Sequence, residues 1–102
     1  MARDAISIAR DQIGAQLAEM RTGMARLSPL DLHARMDSIR RLAADNGMIA
    51  LEGLARSSAQ LALLPGHRVA MQCCFEHVEE AMDGRTQADC TAILAALALR
   101  LN

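Results

Sequence analysis

The chain has 102 residues, with eleven basic side chains, all of them arginine, against twelve acidic ones. That is the length of one domain, long enough to bury a core without disulfide or metal staples, so a single domain over 1–102 is expected. The formal net charge is −1, and the chain offers only the short Arg40-Arg41 pair and no Trp or Tyr where nucleic acid asks for a clustered positive stripe and stacking aromatics, so no nucleic-acid partner is expected.

Hydrophobic residues make up 52% of the chain, yet Phe75 is its only aromatic, so the interior has to be built from Leu, Ile, Val, Met and Ala. Ala and Leu supply about a third of the residues while the strand-favouring Val, Ile and Thr are sparse. This balance predicts an all-α fold, a small antiparallel, up-and-down bundle of four to five helices.

The first predicted helix runs from about Ala2 to Arg26. Ile13, Leu17, Met20, Met24 and Leu27 recur at intervals of four and three, a helical seam. Gly14 and Gly23 interrupt it, which suggests either the close approach of a neighbouring helix or a frayed last turn. Ser28-Pro29-Leu30-Asp31 opens the second helix: Ser at the cap accepts from a free N–H, Pro loses nothing at the first position, and Asp suits the positive end. This helix carries Leu32, Met36, Ile39 and Leu42 inward and ends at Asn46-Gly47, residues suited to a left-handed termination. Asp31 with Arg35 and Asp37 with Arg41 are spaced as i,i+4 ion pairs and mark its wet face.

A third helix is expected from Met48 to Leu64, with Leu51, Leu54, Leu61 and Leu64 inward, a Glu52–Arg56 pair outward and Pro65-Gly66 as the break. A fourth runs from His67 to Asp83, with Val69, Cys73, Val78 and Met82 among its apolar positions. Thr86-Gln87-Ala88-Asp89 resembles a capping sequence and opens a fifth, from Ala88 to Leu101. That last helix is apolar nearly all round: Cys90, Ile93, Leu94, Leu97 and Leu101 fill one face, while Ala95, Ala98 and Leu99 cover much of the rest. It needs burial on more than one side, inside the bundle or against another chain.

The N-terminal residues are broken by charges before any apolar run reaches signal length, and no stretch approaches the ~20 apolar residues of a membrane span, so the cytoplasm is the expected location and no membrane partner is expected. An odd number of cysteines, with Cys73 and Cys74 adjacent, does not read as a disulfide framework.

The densest group of reactive side chains lies on the fourth helix: His67, Cys73, Cys74, Glu76, His77, Glu79 and Glu80. Cys73 and His77 are i,i+4 and Cys74 and His77 are i,i+3, so a thiol and an imidazole share a helical face. Cys73, Cys74 and His77 are therefore the candidate metal ligands, and the same pair is a candidate nucleophile. Adjacent cysteines on a helix point about 100° apart, so both cannot bind one ion, and further ligands would have to come from elsewhere. The alternative is a buried, inert thiol beside a solvated acidic face made by Glu76, Glu79, Glu80 and Asp83. No glycine-rich loop or orienting third group accompanies the pair, so an enzyme is not expected and no cofactor is assigned. Cys90, near the start of the fifth helix, is a redox candidate if exposed.

The segment from Asp37 to Leu51 resembles the helix-turn-helix of histidine phosphotransfer domains, which carry a phosphorylatable His, a basic residue three positions on and a Gly ten positions on. Arg40 and Gly47 fall at the matching places. Asp37 stands at the His position, and Arg41 replaces the small residue after the basic one. The resemblance implies a dock for a response-regulator partner that cannot itself carry phosphate on that helix.

The expected function is accordingly a non-enzymatic helical interaction or regulatory module: a homodimer with a possible further protein partner. The candidate contact residues are Leu97, Leu99 and Leu101 on the fifth helix and Arg40 and Arg41 on the second. The alternative is a bundle that binds a metal or small molecule around Cys73, Cys74 and His77.

Overall fold

The structure, a computed structural model, describes the backbone of residues 4–83 and 87–101 and the side chains of 4–82 and 91–99. Among the described residues there are six helices and no strand: α1 (Ala5–Gly23), α2 (Pro29–Asp45), α3 (Ile49–Leu61), α4 (His67–Glu76), α5 (Val78–Asp83) and α6 (Gln87–Leu101). They form a small all-α bundle, as the composition requires.

α3 is its centre. It packs along α2 and also against α4, α5 and α6, while α1 lies on α2. The α2–α3 pair is antiparallel, because His33 near the start of α2 places Nδ1 2.7 Å from the carbonyl oxygen of Ala59 near the end of α3. A carbonyl can only accept, so Nδ1 carries the proton. α1 runs antiparallel to α2 in the same way, since Glu19 late in α1 meets Arg35 early in α2 at 3.2 Å. One connected cluster of buried side chains fills the interior, with Ile13 and Met20 of α1, Leu32, Met36 and Ile39 of α2, Leu51 and Leu54 of α3, Met71 of α4 and Ile93 of α6 among its members.

The helix ends form as their local chemistry dictates. Ser28 Oγ accepts from the Asp31 N–H at 3.1 Å and Asp31 Oδ2 accepts from the Ser28 N–H at 3.1 Å, a reciprocal capping box. The Ser28 N–H holds the Asp31 carboxyl below its ordinary value. Asp31 is thus committed to the cap, and Arg35, expected to pair with it, reaches Glu19 instead. Asp4 caps α1 by accepting from the Ser7 N–H at 2.7 Å. α2 ends in a Schellman turn: Met48 N–H donates to Ala43 O at 2.9 Å and Gly47 N–H to Ala44 O at 3.3 Å, with Gly47 at φ +68°.

Two glycines make a pair of opposite predictions. Gly47→Ala is expected to cost about 1–2 kcal/mol, because a Cβ is strained in the left-handed region. Gly14 lies inside α1, and a Cβ added there meets nothing within 4 Å. Its helix therefore gains about 0.5–1 kcal/mol when Gly14 becomes Ala. Thermal melting followed by far-ultraviolet circular dichroism checks both signs, and two shifts in the same direction would contradict the account.

Three segments depart from the expected boundaries. The fourth helix is divided at His77, whose N–H is shared between the carbonyls of Cys74 and Phe75 instead of continuing the regular ladder, so α4 and α5 are separate. α3 stops at Leu61 because the chain tightens: Leu63 N–H donates to Gln60 O and Leu64 N–H to Leu61 O, both at 3.1 Å. The tightening turns Leu64 outward, and Val69 is also exposed, although both were expected inside. α6 buries Ile93 and Leu97 but leaves Ala92, Ala95, Ala98 and Leu99 on the surface. Of the expected capping sequence, Thr86 and the side chains of 87–89 lie outside the described residues, as do the side chains of Cys90 and Leu101.

Candidate functional site

The two thiols of α4 face the core. Cys73 and Cys74 are both buried and unbridged, and Cys74 is fully enclosed. Burial pushes the Cys74 thiol up from its ordinary value, and a hydrogen bond with the Ser58 hydroxyl opposes that only in part. Ser58, itself wholly buried, donates to the Leu54 carbonyl at 2.7 Å. A raised thiol pKa in an apolar setting is the reverse of what a nucleophile or metal ligand needs.

His77 occupies the break between α4 and α5. Its Nδ1 lies 3.6 Å from Glu80 Oε2, too far for a hydrogen bond. Its Nε2 is buried without a hydrogen-bond partner. Among the described residues no group of three His, Cys, Asp or Glu side chains is placed to hold a metal ion. Cys73, Cys74 and His77 therefore have no third ligand within that set. Glu76, Glu79 and Glu80 are exposed, as the acidic-face reading requires.

The thiols carry a direct prediction. In a Cys90→Ser background, Cys73 and Cys74 are expected to react with a thiol reagent only as fast as the bundle opens, and at once in denaturant. Rapid labelling of the folded protein would show that α4 is not packed as described.

Arg40 and Arg41 converge on one carboxylate. Arg40 Nε is 2.8 Å from Asp37 Oδ1 and an Arg41 terminal nitrogen is 2.9 Å from Asp37 Oδ2. The Arg40 hydrogen bond holds the Asp37 carboxyl below the usual carboxylate range. Arg40 is half-buried and engaged, whereas Arg41 is largely exposed. Asp37, which takes the place of the phosphorylatable His in the phosphotransfer-like segment, is thus neutralised by its own helix.

Two surface features escaped the sequence. One is the tie between α1 and α4, in which an Arg21 guanidinium nitrogen donates to the Phe75 carbonyl at 3.0 Å and its Cζ sits 5.3 Å from the Phe75 ring centroid. Beside it a groove of ≈ 570 Å³ separates α1 from α4 and α5, with Leu17, Phe75, Val78 and Met82 as its floor and Glu76 and Glu79 at its rim. The sole aromatic was the one available hint. The other is a set of exposed aliphatic side chains, Leu30, Leu63, Leu64 and Val69, at the end of the bundle where α2 begins and α3 gives way to α4. Helical periodicity had assigned two of these to the core.

Of the expected contact residues on α6, Leu97 is only 3% exposed and belongs to the core, while Leu99 is 80% exposed. The helix turns 100° per residue, so two positions further on the chain faces the opposite way. Leu97 is thus not available to a partner, and Leu99 is. Comparison with protein-family models, with curated proteins and with solved structures found no match to this chain.

Proposed function

We propose that this chain is a non-enzymatic helical interaction module that pairs with a second copy of itself through the outward face of α6 and offers the rest of its surface to a protein partner. The observation that carries the reading is the outward arc of α6. Leu99 stands there among Ala92, Ala95 and Ala98, and between residues 91 and 99 the helix has no charged side chain. A solvated helix face ordinarily carries charge, and small side chains allow a second helix to approach closely. A two-fold arrangement buries the same face on both copies and leaves none open for further growth.

The enclosed thiols of Cys73 and Cys74 and the buried Nε2 of His77 support the non-enzymatic part, since among the described residues no cysteine thiol is presented to solvent. Size-exclusion chromatography with light scattering tests the pairing. The wild-type chain is expected to run as a dimer and Leu99→Glu as a folded monomer, because two opposed carboxylates would be desolvated at the contact. A wild-type chain that stays monomeric at every concentration, or a Leu99→Glu chain that remains dimeric, removes the reading.

A further inference from the structure

We propose that the end of the bundle carrying Leu30, Leu63, Leu64 and Val69 rests on an anionic lipid surface. The assignment is independent of the α6 face and goes beyond the interaction module proposed above. The sequence argues against a membrane span, and among the described residues no helix is long and apolar enough for one. Lying on a surface asks for something else: apolar side chains at a protruding tip, cations around them, and backbone donors already satisfied.

Three contacts place the elements at one end. His33 meets Ala59, so Leu30, one turn earlier in α2, and Leu63, just past the end of α3, lie toward the same end of the antiparallel pair. Glu19 meets Arg35, which brings the α1–α2 turn to the same end. Met24 and Gln72 line one cleft, which brings α4 beside that turn. The four aliphatic side chains gathered there are 70%, 47%, 53% and 65% exposed in chain order. None of them lines the groove between α1 and α5. An apolar tip that lines neither cleft beside α1 and α4 suits a yielding lipid interface better than a partner helix, which would need a groove to lie in.

The charges at this end are complementary to anionic headgroups. Arg26, in the α1–α2 turn, and Arg68, next to Val69 in the first turn of α4, are exposed at this end and have no ion-pair partner among the described residues. The nearby acids are already engaged: Glu19 by Arg35 and Asp31 by the Ser28 cap. The backbone is prepared as well. Leu63 and Leu64 spend their N–H groups on Gln60 O and Leu61 O, and Pro65 has none. The tip over 63–65 therefore carries no bare donor into a poorly hydrated layer, where each would be costly.

The experiment is co-sedimentation of the full chain with vesicles of phosphatidylcholine alone and of phosphatidylcholine with about one-third phosphatidylglycerol, at low and high salt. Binding is expected only to the anionic vesicles, lost at high salt, and weaker by about fivefold for each of Arg26→Gln and Arg68→Gln. Leu63→Ser/Leu64→Ser is expected to bind roughly tenfold or more weakly with unchanged circular dichroism, because both side chains are on the surface. No sedimentation with either vesicle, equal sedimentation with both, or undiminished binding of the double variant overturns the proposal. So does a change of oligomeric state in that variant, which would make the tip a contact between copies of the chain.

Discussion

Replacing Leu54 by alanine is expected to lower the free energy of unfolding by about 3 kcal/mol, within the range of about 2–5 kcal/mol for deleting a buried leucine side chain. Leu54 is 1% exposed on the helix that touches four of the other five. Its removal leaves a space bordered by rigid elements, and a site walled on several sides collapses poorly. A domain of this length has about 5–15 kcal/mol in total, so the loss is a large share of it. The melting temperature falls by roughly 12–24 °C at about 4–8 °C per kcal/mol. Urea unfolding followed by circular dichroism gives the value, and Leu64→Ala is the matched control. Leu64 was expected on the same inward stripe but lies exposed beyond the end of α3, so its truncation should stay within about 0.5 kcal/mol. Equal losses at the two positions would mean that α3 continues past Leu61.

Leu97→Ala and Leu99→Ala separate two roles that lie two residues apart. Leu97→Ala is expected to cost about 2–4 kcal/mol, because its side chain belongs to the same buried cluster as Ile93, Leu51 and Leu54. Leu99→Ala is expected to leave the unfolding of an isolated chain within about 0.5 kcal/mol, because the side chain touches solvent there. Denaturant titrations at several protein concentrations decide the matter. A Leu97 loss that depends on concentration would assign it to an intermolecular contact instead of the core. A Leu99 effect that grows with concentration is what pairing through α6 demands.

The reactive residues of α4 show why spacing alone could not settle their chemistry. Residues i,i+3 and i,i+4 share a face, and Cys73, Cys74 and His77 do have that spacing. What such spacing omits is which way the shared face points and whether the helix survives to the last member. Here it points into the aliphatic core and is interrupted at His77, so enclosure raises the Cys74 thiol and no third ligand joins them among the described residues. Arg40 and Arg41 are a milder case. Their pairing with Asp37 was half visible as an i,i+4 relation, and the added i,i+3 contact engages Arg40 as well.

What the amino-acid order determined alone is local, though not everything local: Arg35 left its i,i+4 partner Asp31 for Glu19, and the fourth helix broke at His77. The aliphatic, nearly aromatic-free composition required helix against helix. Ser28 to Asp31 built its capping box, Asn46-Gly47 its left-handed end and Glu52–Arg56 its ion pair, because each depends on groups within one or two turns. The tertiary structure decided which apolar residues were core. Leu54 and Leu64, or Leu97 and Leu99, are alike in type, and only the neighbours that α2, α4, α5 and α6 bring against α3 distinguish them. Burial is a property of what arrives from elsewhere in the chain, and hydrophobic periodicity records a willingness to be covered without naming the cover.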